Sequence, residues 1–136
     1  MEGSLKELAG YRMDRAGEML LAAEENLRIG QYKTSLNRSY YAIFHAMRAA
    51  NIIKGFDSSK HSGVIAFFNK EYIKNGIMEK SMSVIIKNSS FLREKSDYDD
   101  FFIASKEEAQ KQFDSAESIV AAIIEYMRKN NSGTII

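Results

Sequence analysis

The sequence contains no cysteine and no proline, and it has only two histidines. Without cysteine there can be no disulfide, no thiolate metal ligand and no cysteine nucleophile. A metal site built from several histidines of one chain is also disfavoured, because zinc sites use three or four protein ligands. Helix interiors exclude proline, so a chain of 136 residues without it is typical of helical structure.

Long apolar runs and an excess of one charge are also missing. No apolar stretch approaches the roughly 18 residues that a membrane-spanning helix needs, and the N-terminus lacks the pattern of a secretory signal peptide. We therefore expect a cytoplasmic protein with no membrane partner. The chain has 19 basic and 18 acidic residues, so no overall positive field attracts nucleic acid. Any contact with RNA or a nucleotide must come from a local cluster.

Hydrophobic periodicity predicts five helices in one domain, residues 1–136, with its core at about 5–129 and a frayed tail at 130–136. The predicted helices are about Ser4–Ile29, Tyr32–Lys54, His61–Lys74, Met78–Leu92 and Ser105–Lys129. Short connections between them favour an all-α fold, an antiparallel bundle of four to five helices.

Local signals predict where the helices begin and end. Gly30, Gly55 and Gly76 are natural helix stops. Capping boxes are predicted at the first and last helices, the first from Ser4 with Glu7 and the second from Ser105 with Glu108. The charged segment 93–102 is predicted to be a loop.

The second helix carries the most informative pattern. Arg38 and His45 are seven residues apart, which brings them to within about 20° of the same azimuth. Tyr41 lies between them, Arg48 extends the row, and Asn37 lies beside Arg38. A conventional surface helix would fill this arc with Glu and Lys. This arc presents a permanent cation, a phenol and an imidazole.

This pairing suits phosphate chemistry. An imidazole titrates near physiological pH and moves protons in either direction, and a guanidinium holds a phosphate through two parallel hydrogen bonds. Together they suit metal-free cleavage of RNA, in which the 2′-OH attacks the adjacent phosphorus. One such histidine per chain suggests that a dimer partner supplies the second. Alternatively, His45 only satisfies a hydrogen bond in the core or at an interface.

A second cluster is predicted at the start of the third helix. Backbone N–H groups at a helix N-terminus favour anions, so Lys60, His61 and Ser62 are candidates for binding a phosphate. The alternative is a capping cluster without a ligand.

The acidic residues Asp97, Asp99 and Asp100 are the only candidate metal ligands. Hard cations bind several carboxylates, but this run lacks the glycine turn and the following glutamate of a calcium-binding loop. We interpret it as a solvated segment in which Arg93 pairs with Asp97. The sequence predicts no metal and no cofactor.

Four stretches resemble the HEPN domain family (higher eukaryotes and prokaryotes nucleotide-binding), and especially its small stand-alone prokaryotic members of the UPF0332 type. The likeness covers about residues 8–127. The stretches are Asn37–His45, Lys60–Val64, Arg93–Asp99 and the closing helix around Ala109–Ala116. Their order and spacing carry the likeness more than any one of them.

The resemblance implies a helical bundle that pairs into a homodimer. It also implies the family signature, an Arg followed four to six residues later by a His, which Arg38 and His45 match at the longest spacing. In active members this motif lines a cleft at the dimer interface and cuts RNA without metal. Catalytic members usually carry Asn, Asp or His directly after the Arg, whereas this sequence has Ser39. Members are often encoded beside a minimal nucleotidyltransferase antitoxin, which is therefore the implied partner.

Three hypotheses follow. In the first, the protein is a metal-independent endoribonuclease and toxin, with Arg38 and His45 catalytic and Tyr41, Asn37 and Arg48 binding substrate. In the second, the same face binds a nucleotide or a nucleotidyltransferase without catalysis. In the third, Arg38 and His45 only build the dimer.

Overall fold

The computed structural model describes residues 2–130, and these residues form helices and no strand. The helices are α1 (Glu2–Arg28), α2 (Tyr32–Ile53), α3 (His61–Phe68), α4 (Ser81–Tyr98) and α5 (Lys106–Asn130). A π-helical segment, Asn69–Ile73, continues α3. The predicted all-α fold is confirmed. The predicted frayed tail lies outside the described residues except for Asn130, which ends α5.

Several predicted helix ends are confirmed. Gly30 and Gly55 have φ angles of 83° and 84°, a left-handed conformation that favours glycine after a helix. The capping box before α5 is formed in both directions. The backbone N–H of Glu108 donates to Ser105 Oγ at 3.0 Å, and the N–H of Ser105 donates to Glu108 Oε1 at 3.2 Å.

Four predicted boundaries are wrong. Helix α1 begins at Glu2, so Ser4 lies inside the helix and does not cap it. The third helix does not continue regularly to Lys74, because its last turns widen into the π-helical segment. Helix α4 begins at Ser81 and continues to Tyr98, through residues 93–98 of the segment 93–102 that was predicted to be a loop.

The polar inner face of α4 explains that last error. Its inward positions after Ile86 are Ser89, Arg93 and Ser96, which follow helical spacing but are not apolar. Ser89 donates to Gln112 Oε1 of α5 at 2.6 Å. A prediction from hydrophobic periodicity therefore ends at the last apolar residue, although the helix continues.

Helix α2 lies at the centre and contacts all four other helices. Thirteen of its 22 residues are buried. Placing the sequence at 100° per residue predicts one apolar arc as the core face of this helix, and all of its residues are buried: Leu36, Tyr40, Ile43, Phe44, Met47 and Ala50. The same projection predicts a flank of small residues that allows close helix approach, and its residues Ala42, Ala46 and Ala49 have no exposed surface.

Helices α1 and α2 form an antiparallel pair that is tied at both ends. Near their connection, the Ser35 hydroxyl donates to the Ala23 carbonyl of α1 at 2.8 Å. At the far end, Arg12 of α1 and Arg48 of α2 both bind Asp57, in the loop after α2. Because both ends of the pair are held, the side of α2 that faces away from α1 has a fixed orientation in the bundle.

Two buried serines one turn apart in α2 allow a matched stability test. The Ser35 hydroxyl is bonded, whereas the Ser39 hydroxyl is buried without a partner among the described residues. We expect Ser35→Ala to lower the free energy of unfolding by about 1 kcal/mol, because a made hydrogen bond is lost. Ser39→Ala should leave it unchanged or raise it by about 0.5 kcal/mol, because an unpaired hydroxyl is removed. Urea unfolding followed by circular dichroism measures both, and equal losses in the two variants would contradict this account.

Candidate functional site

One stripe of α2 reaches solvent. Between Ser35 and Ile52 every residue of α2 is buried except five, which are partly exposed. These five are Asn37, Arg38, Tyr41, His45 and Arg48. Four of them, Arg38, Tyr41, His45 and Arg48, are the residues that the sequence predicted to share one arc, and Asn37 lies beside them on the same exposed stripe. Whether they bind or cleave a substrate stays a prediction.

His45 is half-buried against α1. Burial and then the charges of Arg15, Arg48 and Arg12 lower the pKa of His45 from 6.5 to about 4, and Glu18 opposes this shift. Burial disfavours the charged imidazole, and nearby cations disfavour it further. His45 is therefore neutral at physiological pH and can accept a proton.

The ring nitrogens of His45 have no hydrogen-bond partner among the described residues. In residues 2–130 the buried side-chain polar atoms without a hydrogen-bond partner are Ser39 Oγ, Arg48 Nε, Asn51 Oδ1, Asn69 Oδ1 and Arg93 Nε. The His45 nitrogens are not among these atoms, and no described residue forms a hydrogen bond with them. The reading of His45 as a histidine that satisfies a core hydrogen bond is thus not supported.

Arg38 lies two turns before His45, beside α4. Its Nη1 donates to Asn37 Oδ1 at 2.5 Å, and Asn37 Nδ2 donates in turn to Asp97 Oδ1 at 3.3 Å. Among the described residues no carboxylate lies within ion-pair distance of the Arg38 guanidinium. A shallow groove surrounds it, lined by Lys33, Thr34, Asn37, Arg38, Ser96 and Asp97. Arg38 thus keeps its charge available for an anion.

Arg48 differs from Arg38 because it is already paired. Arg48 Nη2 donates to Asp57 Oδ1 at 3.1 Å, and Arg12 binds both oxygens of the same carboxylate at 2.7 and 3.3 Å. The hydrogen bond from Arg12, and to a lesser extent that from Arg48, holds the pKa of Asp57 below its usual value. Arg48 can still contribute positive potential to the stripe, but binding a phosphate would require it to share or leave Asp57.

The second histidine belongs to the same region of the surface. His61, the first residue of α3, turns towards α2, where its ring stacks on Phe44 with centroids 4.4 Å apart. Its Nδ1 is 2.7 Å from the hydroxyl of Tyr40. The ring of Tyr41 meets both imidazoles, at 5.7 Å from His61 and 6.2 Å from His45. The sequence predicted neither this position nor the pairing with Tyr40.

The predicted anion cluster at the start of α3 is only partly assembled. His61 is engaged with α2, whereas Lys60 and Ser62 are exposed. The backbone N–H of Lys60 donates to Ser58 Oγ at 3.1 Å, so part of the helix start is capped by the preceding loop. The role of Lys60, His61 and Ser62 in anion binding stays a prediction.

Arg93 is the residue of this region that sequence reasoning missed. It is buried on α4, with its guanidinium carbon 5.2 Å from the centre of the Tyr40 ring, and it pairs with Asp97 at 3.5 Å. The spacing of Arg93 and Asp97, four residues apart, was the available signal that this segment is helical. Placed in a predicted loop, Arg93 could not be assigned to the site.

The acidic segment is occupied by internal contacts. Asp97 binds Arg93 and Asn37, and Asp99 Oδ1 accepts a hydrogen bond from the backbone N–H of Phe101 at 3.0 Å. Among residues 2–130, no three His, Asp or Glu side chains form a group that could hold a metal ion.

Several known proteins are similar to this chain in sequence. The UPF0332 protein of Thermotoga maritima is 31% identical over 118 residues, which cover 87% of this chain and 89% of that protein. "Putative toxin MJ0142" of Methanocaldococcus jannaschii is 34% identical over 94 residues, covering 68% of this chain and 64% of that protein. "Putative toxin MJ0605" of the same organism is 37% identical over 83 residues, covering 56% of this chain and 62% of that protein.

A solved structure shares the fold. The crystal structure of TT1696 from Thermus thermophilus matches with a TM-score of 0.73 at 18% identity, over 86% of this chain and 96% of that one.

Within the described residues, no helix has the length and apolar character needed to cross a bilayer. The family model described as "HEPN domain" matches residues 9–127, including α2 and its exposed stripe. The resemblance first seen in the sequence is confirmed by this match, and the chain belongs to the HEPN domain family.

Proposed function

We propose that this HEPN-family protein is a toxin-like ribonuclease that cleaves RNA without a metal ion, with Arg38 and His45 as its catalytic residues. The observation that carries the proposal is a neutral, solvent-accessible imidazole on the same exposed stripe as an arginine without a carboxylate partner. Two relatives from Methanocaldococcus jannaschii are named as toxins, which supports the toxin-like role.

The chemistry needs a proton acceptor and a phosphate-binding cation. His45 takes the proton of the ribose 2′-OH, the 2′-oxygen attacks phosphorus, and the bond to the 5′-oxygen breaks. Arg38 binds the phosphate oxygens and stabilises the charge that gathers there. Tyr41 lies between the two groups and Asn37 orients the Arg38 guanidinium, so both are proposed to position substrate.

Substrate binding would also change the protonation of His45. Arg15, Arg48 and Arg12 keep its pKa low in the free protein. A phosphate bound beside them adds negative charge, which favours the protonated imidazole and raises its pKa. His45 would then hold the proton it has taken, and could release it to a leaving group or to solvent.

A second candidate is a binding module without catalysis, which holds a nucleotide or a nucleotidyltransferase on the same stripe. Ser39 favours it, because this side chain is fully buried and its hydroxyl does not reach the groove beside Arg38. The position directly after Arg38, where active members are expected to carry Asn, Asp or His, therefore supplies no polar group to the groove. A minimal nucleotidyltransferase as antitoxin remains the proposed protein partner, on the resemblance to the family alone.

The ribonuclease is proposed to act as a homodimer. On α4, Val84, Phe91 and Tyr98 are 59, 59 and 79% exposed and follow each other at seven-residue intervals, which aligns them along one side of the helix. Lys95 lies 5.7 Å from the Phe91 ring and Glu94 is adjacent, so this apolar row on α4 has both a positive and a negative charge beside it. A two-fold axis can pair such a surface with itself, and Glu94 also contributes to the electrostatic environment of His61.

The first test is RNA cleavage in the presence of EDTA. We expect His45→Ala to lower the single-turnover rate by about 10²–10⁴-fold, as for the loss of a general base. Arg38→Ala should lower it by about 10²-fold, and Arg38→Lys should recover only part, because lysine cannot bind a phosphate through two parallel bonds. Arg28→Ala, at an exposed arginine of α1, is the control and should keep full activity.

These variants also separate the two candidates. If the parent protein binds a nucleotide by calorimetry, cuts no RNA, and loses the nucleotide on Arg38→Ala, the binding module is correct. Cleavage that continues unchanged in folded His45→Ala would reject the proposed base.

The low pKa of His45 predicts an unusual pH profile. A base is active when neutral, so kcat/KM should be flat at neutral pH and fall only as the pH decreases towards a midpoint near 4. Arg15→Gln removes the largest charge effect, so the midpoint should rise, although burial keeps it below 6.5. NMR titration of the His45 ring in the free protein should give the same midpoint. A midpoint at or above 6.5 in the parent protein would contradict the assignment.

The dimer has its own test. Phe91→Ser should shift the protein from dimer to monomer in sedimentation velocity at micromolar concentration, because a large apolar side chain at the centre of the apolar row on α4 is lost. Leu21→Ser is the control, since Leu21 on α1 is similarly exposed at 65% and should not matter. A monomeric parent protein, or dissociation by the Leu21 change alone, would reject this surface as the dimer interface.

A further inference from the structure

His61 lies close to the proposed catalytic stripe but carries no assigned role there. The Phe44 ring is 5.8 Å from His45 and 4.4 Å from His61 between centroids. The two imidazoles therefore cannot be farther apart than the sum of these distances, and Tyr41 touches both. Both histidines of the chain are thus brought to one aromatic surface from positions 16 residues apart.

The two ring nitrogens of His61 have different environments. Nδ1 is paired with the hydroxyl of Tyr40 at 2.7 Å. Nε2 has no partner among the described residues and is not one of the buried unpaired atoms, so it faces accessible space. A ligand that approaches His61 will consequently meet Nε2.

The environment of Tyr40 selects the tautomer of His61. Burial raises the pKa of Tyr40 to about 12, so its hydroxyl stays protonated. Tyr40 is fully buried, and His61 Nδ1 is the only hydrogen-bond partner of its hydroxyl among the described residues, so the hydroxyl directs its hydrogen to that nitrogen. A neutral imidazole whose Nδ1 accepts carries its hydrogen on Nε2.

The charged groups around His61 agree with a neutral donor. Tyr40 and Tyr41 face it from α2, and Arg93 and Glu94 face it from α4. Burial, followed by Arg93, lowers the pKa of His61, and Glu94 opposes the shift. His61 therefore presents an N–H donor at neutral pH without carrying a charge.

We propose that His61 is a substrate-binding residue of this site, which donates the Nε2 hydrogen to a phosphate oxygen of RNA and is held in that tautomer by Tyr40. The assignment of the ligand as RNA rests on the proposed function. This role of His61 differs from the arrangement that the sequence predicts, in which a second chain supplies the other imidazole. Here each chain contributes two histidines, one that accepts a proton and one that donates a hydrogen bond.

The tautomer can be observed without any substrate. In protein labelled with ¹⁵N-histidine, the side-chain shifts of His61 at neutral pH should show a protonated Nε2 and an unprotonated Nδ1. Tyr40→Phe removes the hydroxyl and should give a mixture of tautomers. A protonated Nδ1 in the parent protein would overturn the proposal.

Two substitutions test the donor itself. The amide nitrogen of His61→Gln can reach the position of Nε2, whereas that of His61→Asn reaches only the position of Nδ1. With a 2′-O-methyl RNA oligonucleotide, which cannot be cleaved, His61→Asn should weaken binding about tenfold or more and His61→Gln less than about threefold. Thermal unfolding shows whether both variants are folded.

The outcomes separate this proposal from the proposed function. If the parent protein binds the oligonucleotide but cuts no RNA, the ribonuclease is rejected and His61 is judged on binding. Equal effects of Gln and Asn, or no effect of either, would overturn the donor role. A basic limb in the pH profile of the parent protein that disappears in both variants, together with an equal fall in their cleavage rates, would also overturn it, because His61 would then be a general acid. If the parent protein neither binds nor cuts RNA, both proposals fail.

Discussion

The packing of α2 against four helices determines what the surface of this protein can present. Alanines at 42, 46 and 49 have no exposed surface, so neighbouring backbones approach closely and cover the helix on every side but one. Only residues three or four positions apart in the sequence lie on the side that stays partly exposed, and these are Arg38, Tyr41, His45 and their neighbours. The same packing supplies the partial burial that keeps the His45 imidazole neutral.

Charge is concentrated at this stripe although the chain as a whole is nearly neutral. Five of the seven arginines contribute to its surroundings: Arg12, Arg15, Arg38, Arg48 and Arg93. Four of them have carboxylate partners, which are Asp57 for Arg12 and Arg48, Glu18 for Arg15, and Asp97 for Arg93. Arg38 is the exception among the described residues, and this makes it the cation best able to bind an incoming phosphate. Net charge could not reveal this, because it sums over the whole chain.

The sequence predicted what depends on regular spacing within one helix. The core arc of α2 and the shared stripe of Arg38 and His45 both follow from 100° per residue. It did not predict what depends on contacts between helices. His61 reaches Tyr40 from a different helix, and only the way α3 folds back on α2 brings the two together. Arg93 was missed for a related reason, since α4 packs through polar side chains that leave no apolar period.

The buried position of Ser39 bears on how the family signature should be interpreted. A residue directly after Arg38 lies about 100° further around the helix, and in α2 that direction points into the bundle. Its hydroxyl is unpaired there, so the position is not built around a polar side chain. A polar group at residue 39 would therefore act on Arg38 or on the packing beneath it, and would reach RNA only if α2 or its neighbours moved. The chemistry available at the surface is set by residues one and two turns away, of which Tyr41 and His45 are exposed and His61 adds a donor from α3.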